Sequence, residues 1–404
     1  MTLFVHIFST LISQQFTIFV SVSKLLTTEN NLFFNNSCGK NSRYKMLNGW
    51  SHLMKLGLIG YPKVGKHTLF SLLTGQTPDG MSNQSQGLAK VRDPRFNLLC
   101  NMYRPAKETP ASIEFELLPD LDENAERNAE AIKSLENVDA ICHVIRDFDD
   151  ESVYHISGSV DAQRDIRLFS EELQFNDLIF IDKRLEKLTR ENRTKNDDGI
   201  KAEETLLTRL KSFLEVKGSL STYEFSTEDE KLLSSYPLLT RKTVINIINT
   251  DEKNLNSSET IKLIEDFPNP TYSWVNVSAK IEEELMQLEE SERTDFLQDL
   301  GLSEPTIDRL TQICYESLGL ISFFTVGTDE VRAWTIKTNS SAPQAGRAIH
   351  SDIEKGFIRA EIMSYNDLIE HENEEKLKAA GKFMQKGRDY VVQDGDIIHF
   401  LHKA

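Results

Sequence analysis

Three residues of this chain stand out for the chemistry their spacing allows: Gly60, Gly65 and Lys66, in the run Gly60-Tyr-Pro-Lys-Val-Gly65-Lys66. Glycine lets a chain turn tightly and bring its backbone amides close to a bound group. A loop of this kind can surround phosphate oxygens, and a helix starting at its end adds positive potential. The terminal lysine would then reach the β- and γ-phosphates of a nucleotide. The run fits the first seven positions of the Walker A pattern. The plainer reading, a glycine-rich turn that only joins strand to helix, is disfavoured by the strand and helix signals on either side. Gly60, Lys63, Val64, Gly65, Lys66, His67 and Thr68 are the candidate phosphate-binding set.

The eighth position of the pattern calls for a Ser or Thr hydroxyl to coordinate Mg²⁺, and here it is His67. Thr68 comes one residue late, on a different side of the helix. A neutral imidazole suits Mg²⁺ poorly, since that ion prefers hard oxygen donors. An Asp-x-x-Gly element after a second strand is also excluded from its usual window, because no glycine lies between Gly87 and Gly158. Magnesium is therefore doubtful, and no residue is assigned as a metal ligand or as catalytic.

Recognition of a base requires amides and carboxylates at the ends of later strands. Thr194-Lys-Asn-Asp197 is a literal match to a base-reading run, but it falls in a polar break between two helices and is set aside as coincidence. Asn249-Thr-Asp-Glu252 directly follows a strand, and Ser278-Ala-Lys280 follows the next. Asn249, Glu252, Ser278 and Ala279 complete the candidate site. On their own, Asn249–Glu252 could equally cap the following helix.

The elements that must position these residues alternate. Lys55–Ile59 reads as a buried strand and His67–Thr74 as a buried helix; Ile113–Leu118 and Ala140–Arg146 read as strands, and Glu123–Leu135 as a charged helix capped by Asp122. Ile166, Phe169, Leu173, Leu178, Ile181, Leu185 and Leu188 recur at three- and four-residue spacing, which predicts a long amphipathic helix. After the polar break Arg190–Gly199, a second helix carries Leu206, Leu210 and Phe213, so the pair forms a hairpin insert. Strand–helix alternation resumes with Thr243–Ile248, Ile261–Glu265 and Tyr272–Val277. A second α+β piece begins at Ile321, where Phe323–Thr325, Val331–Ile336, Phe357–Ile362 and Ile397–Leu401 read as strands.

Taken together, Gly60–Lys66, Asp93-Pro-Arg95, Ile113-Glu-Phe115, Arg164-Asp-Ile166, Asn249–Glu252, Ser278-Ala-Lys-Ile-Glu282 and Asp299-Leu-Gly-Leu302 resemble the YchF/Obg-like ATPase family. The likeness is densest in Phe323-Phe-Thr, Glu330–Ile336, Ala342–Ala345, Gly356–Glu361 and Asp389–Asp396, which look like that family's TGS-type domain. The resemblance implies an α/β fold: a P-loop NTPase G-domain with an inserted helical (coiled-coil) hairpin and a C-terminal β-grasp TGS domain. It also implies ATP or GTP as cofactor, ribosome or rRNA association, and an Asn249–Glu252 pair that relaxes the choice of base. The departures cluster at the phosphate end. His67 replaces Ser or Thr, Leu117-Leu-Pro-Asp120 stands for the family's Asp-Ile-Ala-Gly, and the stretch between Gly75 and Asp93 is short.

The expected domains are 54–150 and 243–320 for the two parts of the G-domain, 151–242 for the hairpin and 321–404 for the TGS domain. Residues 1–53 are read as an extension outside the fold, with Met54 or Met46 as the natural start. At 404 residues the chain exceeds one ordinary core. A formal charge of −17 argues against DNA as partner and confines any RNA contact to a local basic patch such as Lys376–Arg388. Four scattered cysteines show no metal spacing and suit a reducing cytoplasm. A monomer with no membrane association is expected. Since phosphoryl transfer leans on metal-assisted charge neutralisation, hydrolysis is expected to be weak or lost. The contrasting expectation is a nucleotide-free adaptor that binds a ribosomal or protein partner through the hairpin and TGS domain.

Overall fold

Buried apolar runs set the architecture. The computed structural model describes residues 54–78, 85–195, 197–255, 258–267 and 269–403; the expectation about residues 1–53 lies outside them. Seven strands precede the C-terminal region: β1 (Lys55–Ile59), β2 (Ser85–Lys90), β3 (Lys107–Thr109), β4 (Ser112–Leu117), β5 (Ala140–Asp147), β6 (Thr243–Thr250) and β7 (Tyr272–Val277). Six of them form one sheet in the order β2-β4-β1-β5-β6-β7. All its pairings are parallel except β2 with β4. Leu56–Ile59 in β1 and Ala140–Arg146 in β5 are buried without alternation, as strands with both faces covered must be. The halves before and after the hairpin thus share one sheet.

The hairpin consists of α1 (Ala162–Lys195) and α2 (Asp198–Lys217), which bury Ile181, Leu188, Leu206, Leu207, Leu210 and Leu214. The expected break over Arg190–Gly199 is far narrower. Helix α1 runs on to Lys195, supported near its end by the i,i+4 pairs Glu186–Arg190 and Lys187–Glu191. Polarity without Gly or Pro does not stop an exposed helix. At the root of the hairpin, buried Asp177 accepts from the Leu239 and Thr240 amides and from the Thr240 hydroxyl at 2.6–2.8 Å, which ties α1 to the entry of β6.

The charged helix expected over Glu123–Leu135 is shorter and broken. Only Ala129–Ser134 is α-helical, with 3₁₀ turns at Ala125–Asn128 and Leu135–Asn137. The Asn128 side chain closes a loop by accepting from the Asp122 amide (2.7 Å) and donating to its carbonyl (3.1 Å). Asp122 instead caps a local turn at Asn124. A side chain that bonds its own neighbourhood competes with the helix in this way.

Five further strands, β8 (Leu320–Thr325), β9 (Glu330–Lys337), β10 (Phe357–Ser364), β11 (Met384–Lys386) and β12 (Asp396–His402), build the second sheet. Its order, β11-β10-β12-β8-β9-β3, includes a short strand from the first half of the chain. Lys107–Thr109 pairs in parallel with Glu330–Arg332; this strand, like β2 and β11, is not among those expected from the sequence. The seam is reinforced by Arg95, whose guanidinium reaches Asp394 with two bonds, at 2.7 and 3.1 Å, while also bonding Asp93. Phe323, Phe324, Phe357 and Phe400 are core residues. No helix among the described residues is long and apolar enough to cross a membrane.

Candidate functional site

The candidate residues converge at the carboxyl ends of the parallel strands, where open α/β sheets place their crevice. The run Gly60–Gly65 leaves β1 and turns into the helix Lys66–Thr74, which buries Leu69, Phe70 and Leu73. Both glycines are required sterically. A Cβ on Gly60 would lie 2.4 Å from the Val144 carbonyl oxygen, and one on Gly65, whose φ is +92°, would lie 2.2 Å from the Asn249 amide nitrogen. Gly65 caps the helix without a side-chain hydrogen bond, so the first-turn amides face the loop as donors. Lys63 adopts the left-handed region as well, at φ 62°. His67 is exposed and Thr68 half-buried.

Lys66 is only 3% exposed. Its ammonium donates to the Leu118 carbonyl at 2.5 Å and pairs with Asp120 at 2.8 Å. Burial pulls this lysine below its ordinary pKa, and the Asp120 carboxylate partly restores it. The segment that carries Asp120 is laid against β1, where the Leu118 amide bonds the Leu58 carbonyl and the Leu121 amide bonds the Gly60 carbonyl, both at 3.0 Å. Sequence reasoning noted Asp120 as a departure but missed this contact. The signal in the sequence was an acid, Asp120, standing where the resemblance implies a glycine.

Asn249, 4% exposed at the end of β6, is a cross-brace. Its Nδ2 donates to the Val64 carbonyl (2.9 Å) and its Oδ1 accepts from the Ala279 amide (3.0 Å). The fold therefore joins Val64, Asn249 and Ala279 directly, with Ser278 buried beside them. Glu252 is exposed in the 3₁₀ turn that follows β6. Arg146, also overlooked, is buried at the end of β5. It organises the next loop by donating to the Phe148, Asp150 and Val153 carbonyls. His143 stacks on Phe169, and its burial pushes its pKa down to about 3, which fits packing rather than acid–base work.

The donor set suits anionic phosphate better than a cation. Beside Lys66 stand an imidazole at 67 and a carboxylate already tied to the ammonium, which do not fit the octahedral oxygen shell of Mg²⁺. Among the described residues, no group of three or more His, Cys, Asp or Glu side chains converges in a manner that could hold a metal.

A glycine loop, its lysine and an asparagine brace on one mostly parallel sheet define a P-loop protein of the G-domain class. Comparison with known proteins narrows this. The chain is 35% identical over 358 residues to the ribosome-binding ATPase YchF of Bacillus subtilis, covering 85% of this chain and 98% of that protein. It is 34% identical over 366 residues to Obg-like ATPase 1 of Caenorhabditis elegans, covering 87% and 92%. The solved structure of the Schizosaccharomyces pombe YchF GTPase superposes with a TM-score of 0.77 at 30% identity, covering 88% of this chain and all of that one. Residues 320–403 match the YchF-GTPase C-terminal family, described as a protein of unknown function (DUF933). The chain belongs to the YchF/Obg-like ATPase family.

Proposed function

We propose that this chain binds a purine nucleotide, ATP or GTP, through Gly60, Lys63, Val64, Gly65, Lys66, His67 and Thr68, and that it hydrolyses the nucleotide slowly or not at all. The observation that carries this reading is the cradle of first-turn amides beside a buried Lys66. A nucleotide would supply the phosphate charge that these amides and the ammonium bind. On the base side, Asn249 keeps the loop and the Ser278–Ala279 turn in register, and Glu252 and Ser278 are the groups assigned to the purine edge. Slow turnover follows from the missing hydroxyl at 67 and from the absence of a glycine at 120, because phosphoryl transfer depends on metal and positioned donors. By kinship with ribosome-binding relatives, the chain is assigned to the cytoplasm and to association with the ribosome through the hairpin and the C-terminal domain.

Calorimetric titration of the full chain with ATP and GTP, with and without Mg²⁺, tests the reading. Saturable binding that disappears in Lys66→Ala is the expected result. No binding under either condition leaves only the docking role. Steady-state turnover equal to that of an active relative, or unchanged by His67→Ser, overturns the assignment of slow hydrolysis to the altered magnesium position.

A further inference from the structure

The Lys66–Asp120 contact joins the buried cation of the phosphate loop to an acid from the segment after β4. Lysine carries three donors, and two of Lys66's are engaged by its own chain, one with the Leu118 carbonyl and one with the Asp120 carboxylate. A carboxylate oxygen 2.8 Å from this ammonium occupies the coordination that a terminal phosphate oxygen takes in a loop of this kind. The segment is also held in place. Backbone bonds on either side of Asp120 anchor it to β1 and to Gly60 at the start of the loop, Pro119 limits its φ, and the Leu118 and Leu121 side chains are buried. With no glycine between Gly87 and Gly158, it also lacks the residue that lets a backbone amide turn toward a terminal phosphate.

We infer that Asp120 is a built-in substitute for the terminal phosphate, so that the loop selects a nucleoside diphosphate over a triphosphate and does so without a metal. The inference rests on the proposed nucleotide binding and names the ligand class of that site. A diphosphate can use the loop amides and the remaining Lys66 donor and leave the ion pair intact. A triphosphate brings further negative charge toward the same ammonium and must either displace Asp120 or lie beside it, and like charges at such range disfavour binding. The Asp120 side chain is 42% exposed, so solvent screens part of this repulsion. The discrimination is accordingly about tenfold rather than thousandfold.

The test is calorimetry on the full chain with ADP, GDP and their non-hydrolysable triphosphate analogues, in EDTA and again with Mg²⁺. Wild type should bind the diphosphate about tenfold more tightly than the analogue. Asp120→Asn, which keeps the side chain's shape and can still accept from Lys66, and Asp120→Ala should each bring that ratio to about one, mainly by tightening the triphosphate. Triphosphate binding by wild type as tight as diphosphate binding, or a ratio unmoved in Asp120→Asn, overturns the inference and leaves nucleotide binding standing. Absence of saturable binding of any of these nucleotides by wild type and both variants overturns the nucleotide reading and this inference with it. A thermal unfolding scan of each variant checks that the fold is intact.

Discussion

The two ends of the proposed nucleotide site are braced by different physics. At the base end, one neutral amide, Asn249, is satisfied on both sides by backbone groups and is almost fully buried. At the phosphate end, a buried ammonium is balanced by a carboxylate that is nearly half in water. A neutral, doubly bonded brace has no cheaper arrangement and belongs to the fold. A charge pair with one wet partner can exchange that partner for another anion at modest cost. The difference separates what the site is built on from what it can trade for ligand.

The largest effect on this contrast should come from Asn249→Ala, which leaves the Val64 carbonyl and the Ala279 amide buried without a partner. Unfolding in urea should show a loss of about 3 kcal/mol. A loss below about 1 kcal/mol would mean that water or backbone shifts replace the brace and that the base end is no more structural than the phosphate end. Next is Lys66→Ala. Folding stability should stay within about 1 kcal/mol, because Asp120 remains solvated and relief from burying an ammonium offsets the bond lost by the Leu118 carbonyl. Nucleotide affinity should fall about 30-fold, or about 2 kcal/mol, the worth of a charge-assisted bond. A large fall in stability would make Lys66 a structural residue and erase the distinction.

Glu282 sharpens the comparison through pH. Buried on the helix that follows Ser278, its Oε1 accepts from the Thr306 amide at 2.7 Å and from the Thr306 hydroxyl at 2.6 Å. Burial raises its carboxyl above the ordinary value of 4.5, and the Thr306 bonds only partly oppose this. A raised folded-state value means that the stabilising contribution is complete below 4.5 and is lost as pH rises through the shifted value. Glu282→Gln keeps the acceptor without the charge. It should therefore be more stable than wild type at neutral pH by about 1 kcal/mol, with the gain vanishing below the ordinary glutamate range. Equal stability at every pH in parallel denaturation curves would show that the carboxylate is fully compensated. The smallest effect is expected at exposed Glu252, where Glu252→Gln should change stability by less than about 0.5 kcal/mol. The relative affinity for adenine and guanine nucleotides is the quantity expected to move, and an unchanged ratio would remove Glu252 from base selection.

Much of the positioning was legible because local signals agreed. Glycine spacing marked the phosphate loop, unbroken apolar runs marked β1, β5 and β6, and three- and four-residue periodicity marked the hairpin. Where the sequence misled, a side chain had acted against its segment's average character. Asn128 folded a helical-looking stretch into turns, and i,i+4 pairs carried α1 through a stretch that read as a break. Strand β3 gave almost no signal, since a three-residue edge strand has too few positions for any period to show.

The sequence by itself determined the class of site, because glycine's freedom to turn and lysine's charge are properties of residue and spacing alone. It also determined the main alternation of strands and helices around that site and the departures at 67 and 117–120. Only the tertiary structure decided which groups meet: that Asp120 reaches Lys66, that Asn249 spans from Val64 to Ala279, and that Lys107–Thr109 completes the C-terminal sheet. These contacts join residues from 30 to more than 200 positions apart, and such pairings are fixed by the packing of a whole sheet rather than by any short window of sequence.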